Sequence, residues 1–415
     1  MNLFDKAKKI LNQPVCDNCL GRQFAQLLHG YTNKQRGEMM RRLVAMGADR
    51  EYKSMEDIGI EGIEWSNFAG MSFHNIDNEK FPFVRKLKGK KCAICNDLFI
   101  SLDKWVEKIK KKVNPYEFKT FVIGTKLSSE LLDKEEELWE RAGIDWCEPI
   151  KAEINREIGK ILERQTGKKF NAKIPEINII LDMNRKSLNI ELNPLFVYGE
   201  YQKLIRGIPQ TKWPSGKYKT SVEQIIAKPF MVVTKGKGHK FHGLGREDID
   251  ARCLGWRPFV LEILQPNKRD IEMKKLGKKI GKAVKVKNLR LSSISEVRII
   301  KEKRSEKSYS MIVECEKAIK KTELKKLSSL VVVINQRTPQ RVLHRRSDRM
   351  RKRKVISLKA KFINSRKFKL QVKSEAGLYI KELVSGDNGR TMPNISMMLG
   401  NNCVCKELDV IKIHV

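Results

Sequence analysis

Negative charge is scarce in this sequence. Only 49 Asp and Glu stand against 85 Lys and Arg, a net charge of +36 over 415 residues. That imbalance argues against an enzyme of small neutral metabolites and for a polyanionic partner, either nucleic acid or an acidic membrane surface. No apolar run comes near the roughly 18 residues of a membrane-spanning helix. The start, Met1-Asn2-Leu3-Phe4-Asp5-Lys6, has no apolar core of the kind a secretion signal carries. Basic residues are spread through the chain rather than along one helix, so a membrane partner is set aside and the expected location is cytoplasmic. Phosphate-binding loops are missing too. There is neither a Gly-Lys-[Ser/Thr] loop nor a Gly-x-Gly-x-x-Gly fingerprint, so no organic cofactor is expected.

A disulfide framework is equally absent. Nine cysteines is an odd number, and the chain carries no sign of secretion. Cys147, Cys253, Cys315, Cys403 and Cys405 show no organised spacing, and buried thiols are the expected reading for Cys403 and Cys405. Four cysteines do pair as C-x-x-C: Cys16 with Cys19, and Cys92 with Cys95. Each motif can hold two thiolates on one side of a tight turn, and two such turns make the four soft ligands of a tetrahedral zinc. The 72 residues between the pairs require an insertion that folds between them. With no further ligand candidate nearby, one structural zinc is expected rather than a catalytic one.

Residues 20–45 read as a helix, then a second, Met-rich helical stretch around 35–46, and 97–112 as a basic amphipathic helix. A strand at 117–124, helices at 131–142 and 149–166, and a hairpin of 177–182 with 187–192 follow. That order is similar to the core of a THUMP domain, an RNA-binding module of tRNA-modifying enzymes. A second region opens near Pro194. Its strand-like runs fall at 231–234, 259–263, 297–300, 309–314, 330–334, 355–360 and 367–374, with helical patterns at 272–284 and 316–326. The expected fold is α+β, with an RNA-binding domain over 1–193 and a mixed catalytic domain on an antiparallel sheet over 194–415.

Basic density peaks at 341–354, where eight of fourteen residues are Lys or Arg. On an exposed loop, Arg341, Arg345, Arg346, Arg349, Arg351, Lys352 and Arg353 would track an RNA backbone without reading its sequence. A solvated face or a localisation signal is the plainer alternative.

The densest candidate for chemistry is Phe241-His242-Gly243-Leu244-Gly245-Arg246-Glu247-Asp248-Ile249-Asp250. Taken alone, Gly-Arg-x-Asp is a surface turn with a local ion pair. Two more segments follow in order: Lys307-Ser308-Tyr309-Ser310-Met311-Ile312-Val313 and Gly377-Leu378-Tyr379-Ile380-Lys381-Glu382-Leu383. Together the three resemble the motifs of pseudouridine synthases. The resemblance implies Asp248 as nucleophile, Tyr309 as the ring that packs on the target base, and Lys381 as the ion-pair partner of Asp248. Arg206-Gly207-Ile208-Pro209, Gln336-Arg337-Thr338-Pro339-Gln340-Arg341-Val342 and His344-Arg345-Arg346 narrow this to the archaeal–eukaryotic tRNA pseudouridine-54/55 synthases, the tenth family in the eukaryotic naming. Members carry an N-terminal two-C-x-x-C zinc module and a THUMP-like domain, and by the same analogy Leu408 lines the base pocket. Two departures stand out: Met311 replaces the usual Ala, and Lys381 replaces the Arg of many relatives, keeping charge but losing the bidentate fork.

The chemistry agrees with these residue types. Turning uridine into pseudouridine breaks N1–C1′, rotates the base and rejoins it through C5, with no redox step and no group donor. A carboxylate can serve as nucleophile, beside a cation that favours its charge. An aromatic ring can hold the detached base, and Arg246 can fill the gap left when a base is flipped out. Attack at C1′, attack at C6 and removal of a sugar proton are all compatible with Asp248. Asp250 is its rival for the role. The other functional classes are a non-catalytic THUMP-type RNA-binding protein or chaperone, and a THUMP methyltransferase or thiouridine synthetase, which would need the missing loops. The expected partner is tRNA, with no obligatory protein partner.

Overall fold

A computed structural model of the protein describes residues 1–54, 62–76 and 87–415. The chain divides into two units, Met1–Asn193 and Pro194–Val415. The first begins with α1 (Leu3–Ile10), α2 (Asp17–Gly21) and α3 (Asn33–Ser54). The helix expected over 20–45 is therefore interrupted: α2 stops at Gly21, one 3-10 turn covers Arg22–Phe24, and α3 starts only at Asn33. The reason is backbone contact between α2 and α3. A Cβ on Gly21 would lie 1.7 Å from the Asn33 carbonyl oxygen, and one on Gly37 1.9 Å from that of Asp17. Two segments touching this closely must fold back on each other. Arg36 closes the intervening loop, its Nε and Nη2 donating to the Leu27 and Leu28 carbonyls at 2.7 Å each.

Next come α4 (Leu102–Val113), β1 (Thr120–Lys126), α5 (Ser129–Ala142), α6 (Ile150–Thr166), β2 (Lys169–Phe170), β3 (Ile177–Asp182) and β4 (Ser187–Leu192). The sheet order is β2-β1-β3-β4, with β1 parallel to both neighbours and β3–β4 an antiparallel hairpin. Ile150, Ile154, Ile158 and Leu162 are fully buried along one i, i+4 row of α6 and pack with Phe121, Ile123, Ile177 and Ile179. Gly167, at φ +69°, ends that helix in the left-handed conformation.

The second unit contains β5 (Leu195–Lys203), α7 (Val222–Thr234), β6 (Gly238–Gly243), β7 (Arg252–Leu264), α8 (Met273–Lys278), β8 (Val284–Ser292), α9 (Ile294–Glu302), β9 (Lys307–Cys315), β10 (Val333–Arg337), β11 (Met350–Asn364), β12 (Lys367–Ser374), α10 (Ile380–Ser385), β13 (Thr391–Met392), α11 (Ile395–Leu399) and β14 (Cys403–Ile413). One ten-stranded sheet runs β13-β10-β11-β12-β9-β14-β7-β5-β8, with β6 also on β7. Every pairing is antiparallel except β14 with β7. β7 is buried on both faces, its Phe259, Leu261 and Ile263 in one core and Val260 in the other.

Several local expectations are corrected. Residues 231–234 and 297–300 are helical, in α7 and α9, not strands. Both are short β-branched runs whose period is too brief to read. Ser221 caps α7 by accepting from the Gln224 amide, and Val222, Ile226 and Phe230 form its buried row, which outweighs the β propensity of its last turn. The helix expected over 272–284 ends at Lys278, because Gly277 and Gly281 weaken it and Val284 begins an edge strand. The one expected over 316–326 is a 3-10 segment at Glu323–Leu330. No helix among the described residues is long and apolar enough to cross a membrane.

Candidate active site and metal centre

The loop between β6 and β7 carries Arg246, Asp248 and Asp250, and is held from beneath. Leu244 donates to the Pro258 carbonyl at 2.9 Å and accepts from Arg257 Nη1 at 2.7 Å. Gln210 Nε2 donates to the Gly245 carbonyl at 2.9 Å, and Gly245 takes φ +72°, a conformation only glycine adopts freely. Glu247 turns inward, away from its neighbours in sequence. Tyr201 Oη donates to it at 3.0 Å, Arg257 Nε lies 3.0 Å away as an ion contact without hydrogen-bond alignment, and Lys203 Nζ lies at 4.0 Å. All four side chains are buried. Burial, then the Glu247 charge, pushes the Tyr201 hydroxyl well above its ordinary range.

Lys203 spends its ammonium on carbonyls. It donates to Ile208 at 3.0 Å, Asp248 at 3.0 Å and Ile249 at 3.1 Å, which matches its three hydrogens. Burial lowers its pKa, and Glu247 partly counters that. The backbone of Asp248 is thus bonded to a buried cation. Arg206 does the same one turn on, with Nη1 donating to the Asp250 carbonyl at 2.9 Å and the Leu408 carbonyl at 2.6 Å.

The Asp248 side chain is 34% exposed and meets two cations at Oδ2. Arg341 Nη2 donates to it at 3.3 Å, and Lys381 Nζ lies 3.6 Å away. The expected Lys381–Asp248 pair is present but is not where Lys381 makes its hydrogen bonds. Those go to Asp250, at 2.6 and 2.8 Å. Burial opposes the charge of Asp250, but the Lys381 hydrogen bonds and charge, with Arg341 behind them, hold its carboxyl below the usual range. Arg341 Nε in turn donates to Glu382 Oε1 at 2.6 Å.

A cavity of about 920 Å³ opens over this cluster. Tyr309 and Leu408 line it, from adjacent strands β9 and β14, and both are buried. Burial pushes the Tyr309 hydroxyl up to about 12, so it stays protonated. Met311 does not reach the cavity; it is buried in the core opposite Leu370 and Leu408. Lys307 lines the floor, donates to the Ser305 carbonyl at 3.1 Å, and is pushed down to about 8 by burial and by Arg257. Arg246 is exposed on the rim and makes no side-chain hydrogen bond or ion pair among the described residues.

The basic stretch 341–354 is only partly a loop: a 3-10 turn, Gln340–Arg345, and an exposed irregular segment at 346–349 lead into β11. Arg341, Arg346, Arg351 and Arg353 line the cavity, whereas Arg349 and Lys352 are exposed elsewhere. The side chain of Arg345 lies outside the described residues. Sequence reasoning missed Lys301, Lys303 and Arg304, which line the cavity from the end of α9 and the residues just after it and follow a run expected to be a strand. It also missed Lys203 and Arg257, and gave no role to Glu247 and Glu382, which stand inside the quoted motif segments beside the residues that the motifs single out.

In the first unit the four motif cysteines converge. Their sulfurs lie within 4.8 Å of one another, Cys16 to Cys95 at 3.6 Å, where a tetrahedral zinc with bonds near 2.3 Å needs roughly 3.8 Å between sulfurs. The residues fit a metal ion. Cys16 precedes α2, and Cys92 is held in its turn by its own amide, which donates to Asp97 Oδ1 at 3.0 Å. Buried Arg22, ion-paired to Glu135, supplies positive charge near Cys19. Cys405 is half-buried rather than a core thiol, while Cys403 and Cys315 are buried side by side at 3.3 Å.

Two family models match the chain: "Pus10, C-terminal" over residues 196–414 and "Pus10 THUMP domain, archaeal" over residues 105–182. Curated relatives named tRNA pseudouridine synthase Pus10 are similar over nearly the full length. The protein from Thermofilum pendens is 37% identical over 99% of this chain and 95% of its own. That from Methanocaldococcus jannaschii is 39% identical over 97% and 92%. That from Pyrococcus furiosus is 37% identical over 99% and 98%. A distant likeness to a solved Cbf5-Nop10-Gar1 complex, TM-score 0.31 at 16% identity, covers 51% of this chain and 47% of the other. The family models and the near-full-length relatives put the chain among the pseudouridine synthases, which are isomerases. More narrowly, the chain belongs to the Pus10 family.

Metal content tests the thiol cluster. Purified protein is expected to carry about one metal ion per chain, and Cys92→Ser to lose it and melt at lower temperature, since a structural site contributes folding energy. Elemental analysis that finds metal-free protein with an unchanged melt would rule the site out.

Proposed function

We propose that this chain isomerises uridine to pseudouridine in tRNA, at position 54, 55 or both in the T-arm, with Asp248 as the nucleophile and one structural zinc held by Cys16, Cys19, Cys92 and Cys95. The observation that carries the reading is Asp248 itself. It is a carboxylate with its backbone tied to a buried cation, two cations at one oxygen, and a cavity with an aromatic wall above it.

The reaction conserves every atom. The N1–C1′ bond breaks, the uracil turns over, and a C5–C1′ bond forms. The C5 proton leaves and N1 regains one. Asp248 supplies the carboxylate that engages the nucleotide. Tyr309 offers a buried ring against which the detached base can stack while it turns, and its protonated hydroxyl adds no charge. Leu408 closes the apolar side. Arg246, exposed on the rim, fills the place of a base flipped out of the T-arm. Arg346, Arg351 and Arg353, on the same mouth, suit phosphates, which position RNA without reading its sequence. The zinc stabilises the N-terminal module and takes no part in the chemistry.

A non-catalytic RNA-binding role is the alternative, and the intact set of Asp248, Tyr309 and Lys381 weighs against it. The test compares two variants on one unmodified tRNA transcript, with pseudouridine mapped by carbodiimide treatment and primer extension. Asp248→Asn is expected to abolish modification while keeping tRNA affinity. Asp250→Asn, which alters a carboxylate 67% exposed to solvent, should keep substantial activity. An active Asp248→Asn, or a folded Asp250→Asn that binds tRNA and is inactive, would reverse the assignment. Neutralising Arg346, Arg351 and Arg353 together should weaken tRNA binding and flatten its salt dependence by about one unit of slope per lost contact.

A further inference from the structure

We propose that Arg341 is the hydrogen-bonding counter-ion of the catalytic carboxylate, and that Glu382 is the residue that positions it; this rests on the reading of Asp248 as nucleophile. The Asp248 side chain receives one hydrogen bond among the described residues, and it comes from Arg341 Nη2. Lys381 is near enough to share charge but gives its short hydrogen bonds to Asp250. Arg341 binds Oδ2, so the other oxygen, Oδ1, has no hydrogen-bond donor among the described residues and is left to act on the substrate. A fixed guanidinium therefore does more than balance charge: it selects which carboxylate oxygen is free.

Arg341 is itself fixed. Its Nε donates to Glu382 Oε1 at 2.6 Å, and the Glu382 side chain is only 6% exposed. Nε and Nη2 both reach Glu382, at 2.6 and 3.5 Å, and Nη2 also reaches Asp248, so these two donors are engaged by carboxylates rather than offered to a phosphate. The backbone around it is braced as well. Gln340 donates its amide to Asp387 Oδ2 at 3.0 Å, and Val342 is buried. Gln336, fully buried, clamps Tyr379 from both sides of its amide group: Nε2 donates to the Tyr379 carbonyl at 3.0 Å, and Oε1 accepts from the Tyr379 amide at 2.8 Å. The segment bearing Arg341 is thus bolted to the one bearing Lys381 and Glu382. Glu382 touches neither Asp248 nor the cavity, so it acts through Arg341.

The roles are separable because a phosphate contact acts on binding and a counter-ion acts on rate. Single-turnover modification of an unmodified tRNA transcript at saturating enzyme, with filter binding across a salt series, would compare wild type with Arg341→Gln, Arg341→Lys, Glu382→Gln, the Arg341→Gln/Glu382→Gln pair and Asp248→Asn. Arg341→Gln is expected to slow the saturated rate about 100-fold, the usual scale for removing one aimed charge from an active site. Its tRNA affinity should stay within about threefold and its salt slope should not change, since affinity is carried by phosphate contacts elsewhere. Arg341→Lys should recover part of the rate. Glu382→Gln should slow it about tenfold, and the double variant should be no slower than Arg341→Gln alone, because residues acting through one group do not add. A wild-type saturated rate in Arg341→Gln, with weaker binding and a slope lower by about one, would make Arg341 a phosphate contact and overturn the inference. Should Arg341→Gln fail to fold, Glu382→Gln decides: an anionic, buried side chain cannot bind phosphate, so a wild-type rate in that folded variant overturns the inference. An active Asp248→Asn would bring down the underlying reading, whereas an inactive Asp248→Asn beside an unimpaired Arg341→Gln would bring down only this one.

Discussion

One buried carboxylate, Glu247, supports the geometry of the second unit's site. It lies between Asp248 and Arg246 in sequence yet points the other way, into a pocket with Arg257, Lys203 and Tyr201. Burying three charges is expensive unless each is paired and its hydrogen-bonding capacity is used. Here Lys203 uses all three hydrogens on loop carbonyls, one of them from Asp248, and Arg257 reaches the Leu244 carbonyl. The anion keeps the two cations in place, and the cations hold the loop. The outward direction of Asp248 follows from the inward direction of Glu247.

The acidic residues around the site are few and each is engaged. Asp250 holds Lys381, Glu382 holds Arg341, and Asp409 receives Arg206 and Arg252, both at 2.7 Å. Arg206, tied down in this way, fixes the Asp250 and Leu408 backbones. Cations in excess of these pairings stand at the cavity mouth, so one chain-wide charge imbalance serves two ends. Paired cations shape the site, and unpaired ones face the solvent from which a polyanion approaches.

What could be read from the sequence was whatever carries a local pattern. The hairpin of β3 and β4 follows from alternating apolar residues around a polar turn and lies at the expected residues. The four thiols announced themselves through spacing and do converge. The three motif segments were legible by their order, and residues of all three line one cavity. Short apolar runs such as 231–234 and 297–300 were misread, since four residues cannot tell a period of two from one of 3.6. The supporting charges were invisible for another reason: Lys203 is one of 85 basic residues. A faint signal existed. Leu195, Val197, Tyr201 and Lys203 share the buried face of β5, so strict alternation already put this lysine inside. Arg341 begins a basic run in the sequence, and only the folded chain brings Glu382 beside it.

If the buried ion cluster sets the position of Asp248, the cluster can be broken without touching any group proposed to meet RNA. The most direct measurement is release of tritium from C5 of uridine in a labelled tRNA transcript, comparing wild type with Glu247→Gln at a temperature where both are folded. Removing one partner of a buried pair costs about 3–5 kcal/mol, so the variant should melt earlier. The account predicts that it still binds tRNA and releases little or no tritium. A folded Glu247→Gln that releases tritium at the wild-type rate would contradict it.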